Sequence, residues 1–286
     1  MAIIVSKNVS LFGFNFPIGT DWLSTFGETG TRVAPDTTGT VTINGTLLLE
    51  GNLTCYGDIT ITAAGKVIPV PDKDLKKSYF SLDTFSYTTA NGGSRTITST
   101  IGDIYVCGLI DGKGAGFESN QGPGCNSLLT DTSGNQLPGY GASHAGLGYI
   151  NSSPPKPLPN PGYGHYETPL SLGSGSGYYH NPLDLFGEET KGGGAIKLVA
   201  RSGIVQIDGK VNMDGIDGTH AGGASGGSIW VHAWEIHGDG TMTAAGGSTL
   251  LTSNAGGGAG GYISLWHERS LFYNGLLSVS GKDGAE

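Results

Sequence analysis

The chain has 286 residues, of which 52 are glycine, 37% are hydrophobic and 14% are charged, and its net charge is −9 at pH 7. The glycine content lies below the roughly one-third of collagen without its strict Gly-X-Y period, and no apolar run is long enough for a membrane-spanning helix. The acidic balance and the lack of a basic patch argue against a nucleic-acid partner. We therefore expect a folded, glycine-rich protein whose partners include neither nucleic acid nor a membrane span.

The first 38 residues are rich in aromatic side chains and show no period. Their central stretch, LFGFNFPIGTDWLSTFGE, covers residues 11–28. Because a repetitive fold must cover its first apolar coil, we interpret residues 1–38 as an N-terminal cap or docking segment. The apolar part of the opening MAIIVSKNVS is short for a signal peptide, which suits a protein delivered without one, such as a viral or phage protein.

From residue 39 the chain divides into short β-rich pieces separated by glycine. The stretch GTVTINGTLLLEGNLTCYGDITITAAGKVIPV covers 39–70, and IYVCGLIDGKG covers 104–114. Their alternation of apolar and polar residues predicts short strands. Residues 115–192 lose this pattern and include the proline-rich NSSPPKPLPNPGYG, so we interpret them as a long loop excursion over one side of the fold. Such loops either carry function or only seal the core.

The strongest pattern lies between residues 193 and 281, where a glycine-rich run followed by a short strand recurs. The three copies are GGAIKL, GGSIWV and GGYISL, with isoleucines at positions 196, 229 and 263. Such short strands bury too little surface alone but share a core when stacked. We predict an all-β fold, a right-handed parallel β-helix over 39–286, with glycines turning its corners. A β-sandwich or barrel is the alternative, and its hairpins would need short turns that are few here.

The outward positions of the repeated strand are candidate glycan-binding residues. If Ile196, Ile229 and Ile263 form one interior column, the residues between them stack outside as three further columns. These columns are Lys197, Trp230 and Ser264; Val199, His232 and Trp266; and Arg201, Trp234 and Glu268. Aromatic rings with polar neighbours suit sugars, so Trp230, His232, Trp234 and Trp266 form the candidate site. The alternative interpretation is a second core layer, because tryptophan is mostly buried in proteins.

Four aspartates precede glycine in predicted turns. They are Asp208, Asp214, Asp217 and Asp239. Stacked Asp-Gly turns are able to bind Ca²⁺ through carboxylate and carbonyl oxygens, although Asp-Gly is also ordinary turn sequence. Apart from this calcium alternative, we expect no cofactor.

The cysteines and sequons allow two kinds of covalent modification. The three cysteines are an odd number, so we predict a disulfide between Cys107 and Cys125 and a thiol at Cys55. The glycosylation motif occurs at Asn8, Asn44, Asn52 and Asn151, which agrees with secretion but is also frequent by chance in such a chain.

Tyrosine and histidine cluster in the excursion, around His144, Tyr163, His165 and Tyr166, with Glu167 beside them. Such groups act as general acids and bases in polysaccharide lyases and hydrolases. Their spacing is not diagnostic, and aromatic side chains folded against the coils are the alternative interpretation. We therefore assign no catalytic residue.

Several segments between residues 140 and 286 resemble the glycine-rich repeat segments of large secreted or cell-surface proteins of bacteria and protists. They read YGHYETPLSLGSGSG, GGGAIKLVA, VNMDGIDG and GGASGGSIWVHA. The resemblance implies a β-helical solenoid in an extracellular stalk, adhesin or coat. It transfers no catalytic residue, and it leaves residues 1–140 outside.

These observations together favour a non-catalytic structural or adhesive solenoid outside the cell or on a cell or virion surface. A lyase or hydrolase on the same fold and a glycan-binding phage or viral fibre adhesin are the alternatives. The repeat stops at KDGAE, five residues after Gly281. We expect that open coil to meet further repeats of the same chain or a neighbouring copy, head to tail, because an unpaired strand edge seeks a partner.

Overall fold

The computed structural model describes residues 40–71, 93–125, 141–148, 161–176, 190–219, 221–249 and 255–282. It also gives the backbone of three short strands, β1 (Ile4–Val5), β2 (Val9–Leu11) and β3 (Phe14–Phe16). All regular structure in these residues is β-strand. None of it is therefore a helix long and apolar enough to cross a membrane.

The strands that follow are short in the first half of the chain and include three long ones in the second half. They are β4 (Val41–Ile43), β5 (Thr46–Leu49), β6 (Leu53–Cys55), β7 (Ile59–Ile61), β8 (Lys66–Pro69), β9 (Arg95–Ser99), β10 (Ile104–Val106), β11 (Leu109–Asp111), β12 (Ala195–Ile207), β13 (Lys210–Asn212), β14 (Ser228–Gly238), β15 (Thr241–Thr243), β16 (Tyr262–Tyr273) and β17 (Leu276–Ser278). Most of the short strands alternate buried and half-exposed residues, as their period-2 sequences predict.

The strands form two sheets. One has the order β1-β5-β8-β11-β13-β15-β17, and the other has the order β16-β14-β12-β10-β7-β4-β2-β3, with β6 and β9 joined to it through β12. Every pairing among β4 to β17 is parallel. Each stretch of chain therefore lays its strands beside the corresponding strands of the stretch before it, and we call this arrangement the strand stack.

Three columns of apolar side chains, one residue from each successive stretch, run through the strand stack. The first is Val41, Ile59, Ile104, Val205, Ile236 and Leu271. The second is Leu47, Val67, Ile110, Val211, Met242 and Leu277. The third is Leu53, Ile97, Leu198, Val231 and Leu265. All but the last member of each column are buried, and each such burial contributes roughly 1.5–3 kcal/mol.

The predicted isoleucine column is confirmed. Ile196 lies beside Ile229, and Ile229 beside Ile263, in parallel register. Ile196 and Ile229 are fully buried, and Ile263 is partly buried at the end of the core. The repeat read from the sequence is thus a stacking repeat.

Aspartates link successive stretches where the chain turns from one group of strands to the next. The Asp103 N–H donates to Asp58 Oδ1 at 2.9 Å, and the Ile204 N–H donates to Asp103 Oδ1 at 2.7 Å. The register of β12 against β14 shifts at the same place, between Ala200 and Ile204. Each carboxylate therefore satisfies a backbone donor of the next stretch where the regular ladder is interrupted.

The two ends of the strand stack differ. At the first end β1 pairs with β5 and β2 pairs with β4, both antiparallel, and β3 pairs with β2. The rest of the expected 1–38 cap lies outside the described residues. At the other end β16 and β17 are the edge strands of the two sheets.

Single glycines lie at the predicted corners, since Gly108, Gly209, Gly240 and Gly275 each stand between a strand of one sheet and a strand of the other. The glycine-rich runs form instead a hydrogen-bonded layer beside the strand stack. This glycine layer comprises residues 112–117, 171–176, 190–194, 213–217, 222–227, 244–248 and 255–261. Within it, each backbone N–H of residues 223–227 donates a hydrogen bond to another segment of the layer. Residues three positions apart donate to the same segment. The acceptors are, in order, the carbonyls of Gly256, Ile216, Ser174, Ala259 and Met213. A three-residue period is that of the polyproline II helix.

Close approach of backbones explains why this layer needs glycine. A Cβ on Gly223 would collide with the carbonyl of Gly247, and one on Gly226 with the carbonyl of Ala244. Parts of the 115–192 excursion belong to the same network, since the Ser225 N–H donates to the Ser174 carbonyl at 3.0 Å and the Gly173 N–H to the Gly193 carbonyl at 2.8 Å. These parts are thus hydrogen-bonded into the glycine layer.

Candidate functional site

The outward faces of β12, β14 and β16 carry the candidate residues in the predicted order. Lys197 lies beside Trp230 and Trp230 beside Ser264, while Val199, His232 and Trp266 form the next column. The third predicted column is wrong, because both pairings shift register around Ala233 and Ala200. Arg201, Trp234 and Glu268 therefore do not share one row.

The four aromatic candidates divide into two buried and two exposed side chains. Trp230 and His232 are each 8% exposed, whereas Trp234 is 44% and Trp266 is 42% exposed. The Trp266 ring lies edge-on to Trp230, with centroids 6.3 Å apart, and 5.9 Å from the His232 ring. Trp230 and His232 are thus buried, as a second core layer requires. Trp234 and Trp266 expose the ring surface that the glycan-binding interpretation requires.

Hydrogen bonds connect these rings to one another and to residues 161–176. His232 Nε2 lies 3.1 Å from Glu268 Oε1, and the Trp266 indole N–H donates to Ser264 Oγ at 3.0 Å. The Ser264 hydroxyl donates to the Glu167 carbonyl at 3.1 Å, which places this carbonyl at the border of the cluster. We call Lys197, Trp230, His232, Ser264, Trp266 and Glu268 the tryptophan site.

Two buried polar atoms of the tryptophan site have no hydrogen-bond partner. They are Trp230 Nε1 and His232 Nδ1. Leaving such an atom unpaired costs about 1–3 kcal/mol, so each calls for an explanation. The indole nitrogen is a donor, and His232 Nδ1 is an acceptor when Nε2 donates to Glu268. One hydrogen-bond donor and one hydrogen-bond acceptor, on side chains two residues apart in β14, therefore lack a partner.

A cation lies over the buried tryptophan. The Lys197 Nζ is 3.4 Å from the centroid of the Trp230 ring, a cation–π geometry. That face of the Trp230 ring is therefore already occupied. Exposed aromatic surface is offered instead by Trp266 and Trp234.

A second charged cluster on the outer surface was missed by the sequence analysis. His237 Nε2 lies 2.8 Å from Glu235 Oε2, Arg269 Nη1 lies 3.2 Å from Glu235 Oε1, and the His237 ring packs edge-on against Phe272. The signal was present as Glu-x-His in WEIHG, two positions that share one face of a strand. Both carboxylates near the exposed rings are therefore bound, Glu235 to His237 and Arg269 within this cluster, and Glu268 to His232.

The tyrosines and histidines of the excursion fall into a buried and an exposed group. His144 stacks on Tyr163 with centroids 4.4 Å apart, its Nδ1 is 2.6 Å from the Gly226 carbonyl, and the Tyr163 hydroxyl donates to the Leu172 carbonyl. Burial lowers the pKa of His144 to about 4 and raises that of Tyr163. This pair anchors the glycine layer, whereas His165, Tyr166 and Glu167 are exposed.

The aspartates proposed as calcium ligands link successive stretches. Asp214 Oδ1 accepts the Ala245 N–H and Asp217 Oδ1 accepts the Ser248 N–H, both at 2.7 Å. Asp208 Oδ1 accepts the Asp239 N–H at 3.4 Å. Across the part of the chain that the structure describes, no group of three or more histidine, cysteine, aspartate or glutamate side chains is arranged to hold a metal ion.

The predicted disulfide is not formed. Cys107 is exposed and Cys125 is buried, and both are thiols. Burial raises the pKa of the Cys125 thiol to about 12, which keeps it unreactive.

Two of the four candidate glycosylation sites lie in the described residues. Asn44 and Asn52 are both exposed. The Asn52 carboxamide oxygen already accepts the Thr96 N–H at 2.8 Å. Asn8 and Asn151 lie outside the described residues.

Comparisons of the chain with protein-family models, with curated proteins and with solved structures find no match. The functional argument therefore depends on the geometry of the site alone.

Proposed function

We propose that the chain is a right-handed parallel β-helix displayed outside the cell or on a cell or virion surface, where it serves as an adhesive solenoid that binds glycans. The parallel pairing of every strand from β4 to β17 supports the solenoid. Connections between parallel strands of one sheet are right-handed in about 98% of known cases, which supports the hand.

The observation that carries glycan binding is the unfilled donor and acceptor beside exposed indole rings. Sugar hydroxyls both donate and accept hydrogen bonds, so they supply the partner that Trp230 Nε1 lacks and the one that His232 Nδ1 lacks. Trp266 and Trp234 expose large rigid rings on the same strands, and such rings pack against the apolar face of a sugar. A few convergent polar groups beside aromatic surface are typical of ligand sites.

Glycan binding is tested by titrating the protein against immobilised polysaccharides. We expect Trp266→Ala and Trp234→Ala each to weaken binding about tenfold or more, through lost stacking. Leu276→Ala is the matched control, because Leu276 is 61% exposed but lies on the other sheet. Retained affinity in both tryptophan variants, or equal loss in the control, would reject the proposed site.

We further propose that the last stretch of the strand stack pairs with another stretch of parallel strands, from further repeats or from a second copy. Leu271 and Leu277, which end two core columns, are 44% and 46% exposed. A head-to-tail contact with the opening of the chain fits less well, since β2 and β3 already pair within the chain. Sedimentation should show self-association of this chain, and Leu277→Lys should abolish it. A chain that stays monomeric at high concentration would reject pairing with a second copy.

A further inference from the structure

Two cations lie on the outward side of β12, Lys197 in the tryptophan site and the exposed Arg201 four residues further along the strand. Among the described residues, neither Lys197 nor Arg201 forms an ion pair. The nearby carboxylates are engaged elsewhere, Glu268 with His232 and Glu235 with Arg269 and His237. Neither positive charge is therefore paired with a described carboxylate, and Lys197 lies beside Trp230, whose indole nitrogen is unfilled.

This arrangement opposes the stability of the folded chain. Burial, and then repulsion by Arg201, lower the pKa of Lys197. The chain has 24 acidic and 15 basic residues, yet among the described residues no carboxylate forms an ion pair with Lys197 or Arg201. An unfavourable cluster of like charges next to buried unpaired polar atoms is a frequent property of binding sites.

We propose that the tryptophan site selects glycans that carry an anionic group, a carboxylate or a sulfate ester, and that Lys197 and Arg201 bind this group. The inference rests on the proposed glycan binding and adds its chemical class. The hydroxyls of the sugar fill Trp230 Nε1 and His232 Nδ1, and its ring packs on exposed indole. Its anion supplies the counter-charge that no described carboxylate gives to Lys197 and Arg201.

Charge-assisted hydrogen bonds explain why the preference would be large. A hydrogen bond to a charged group contributes more than a neutral one, and the guanidinium of arginine binds carboxylate and sulfate through two parallel N–H bonds. Lys197 is half-buried, so its attraction to an anion is screened less than that of a surface lysine. A neutral sugar would leave both cations unpaired.

The test begins with an array of neutral, sialylated, uronate-containing and sulfated glycans. The acidic glycan that binds most tightly is then compared with its carboxyl-reduced or desulfated form. We expect the acidic form to bind about tenfold or more tightly, and this difference to shrink in high salt. Binding of sialylated or uronate-containing glycans would identify a carboxylate as the recognised group, and binding of sulfated glycans would identify a sulfate ester.

The residues are tested with charge-matched variants. Lys197→Gln and Arg201→Gln should reduce the preference for the acidic form, while Lys210→Gln, the same charge change at an exposed site in β13, should keep it. Equal binding of acidic and neutral forms, or an unchanged preference in both variants, would overturn the anionic selection and leave glycan binding intact. Absence of any glycan binding would overturn the proposed function and this inference with it.

Discussion

The strand stack and the glycine layer are built from the same repeat but are stabilised in opposite ways. In the strand stack, side chains such as Ile59 and Ile104 fill the interior, and parallel ladders join neighbouring strands. In the glycine layer, glycine and other small residues predominate, and successive backbone N–H groups bond to different segments. One region excludes water with apolar volume, and the other does so by bringing backbones into contact.

The two regions should therefore differ in what substitutions they tolerate. A core of side chains loses about 0.5–1.5 kcal/mol when one methylene is removed, as in Ile→Val, because its neighbours partly relax. A layer of touching backbones has no such freedom, since an added methyl group meets a carbonyl rather than a flexible side chain. Substitutions in each region make this difference measurable.

The largest effect is expected for Ile229→Asp in the strand stack. Ile229 is fully buried between Ile196 and Ile263, where a carboxylate finds no partner. Burial of an unpaired charge places this change among the most destabilising substitutions, about 4 kcal/mol or more. Urea unfolding measures the loss, with Ile229→Val as the matched control at about 1 kcal/mol. A small loss for the aspartate would mean that this column is not interior.

The next largest effect is expected for Gly226→Ala in the glycine layer. The new Cβ would collide with the Ala244 carbonyl, and we expect a loss of about 2–4 kcal/mol from overpacking. Gly146→Ala is the control, because no atom lies within 4 Å of a Cβ built there. Thermal unfolding of the two variants compares them directly. Equal melting temperatures would contradict the close backbone packing of the layer.

The sequence predicted the strand stack well and the glycine layer poorly, for a physical reason. Alternation and the recurrence of Ile196, Ile229 and Ile263 reveal which side chains face inward, so those contacts follow from the pattern. Glycine has no side chain to show a facing pattern. The layer also joins distant segments, as when the Ser225 N–H donates to the Ser174 carbonyl, and no local period reveals such a contact.

The candidate site was also predictable only in part, through the alternation of its strands. Alternation placed Lys197, Trp230 and His232 outward, and the structure agrees. It did not reveal that the Lys197 ammonium covers one face of Trp230, because that depends on a side-chain conformation. The register shift near Ala233 separated Trp234 from its expected row, and such irregularities have no signature in a perfect repeat.

The third prediction is that the acid sensitivity of the fold resides at His144, which packs against the glycine layer. Burial lowers the pKa of His144 from 6.5 to about 4 in the folded chain. The unfolded chain then binds the extra proton between these values, so stability is full above about pH 6.5 and falls as the pH drops towards 4, by up to about 1.4 kcal/mol per unit. Tyr163 and Tyr262 pack against the His144 ring, and burial raises the pKa of Tyr163, so that hydroxyl stays neutral in this range.

Urea unfolding at several pH values tests this contribution. In His144→Gln the slope of unfolding free energy against pH between 4 and 6.5 should decrease relative to the unaltered chain. His165→Gln is the control, because His165 is exposed. An unchanged slope in His144→Gln would show that acid sensitivity arises elsewhere in the molecule.

The smallest effect concerns the junction where the strand stack passes into the glycine layer. Asp214 lies two residues after the end of β13, and its Oδ1 accepts the Ala245 N–H of the next stretch at 2.7 Å. Asp214→Ala leaves that buried donor unpaired, and we expect a loss of about 1–2 kcal/mol in thermal unfolding. Asp214→Asn keeps an acceptor oxygen and should lose less. Asp208→Ala should lose least, since the Asp208 carboxylate lies 3.4 Å from its backbone donor.

A different result, an increase in melting temperature with Ca²⁺ that Asp214→Ala abolishes, would mean that these turns bind calcium and that the link between stretches passes through the ion.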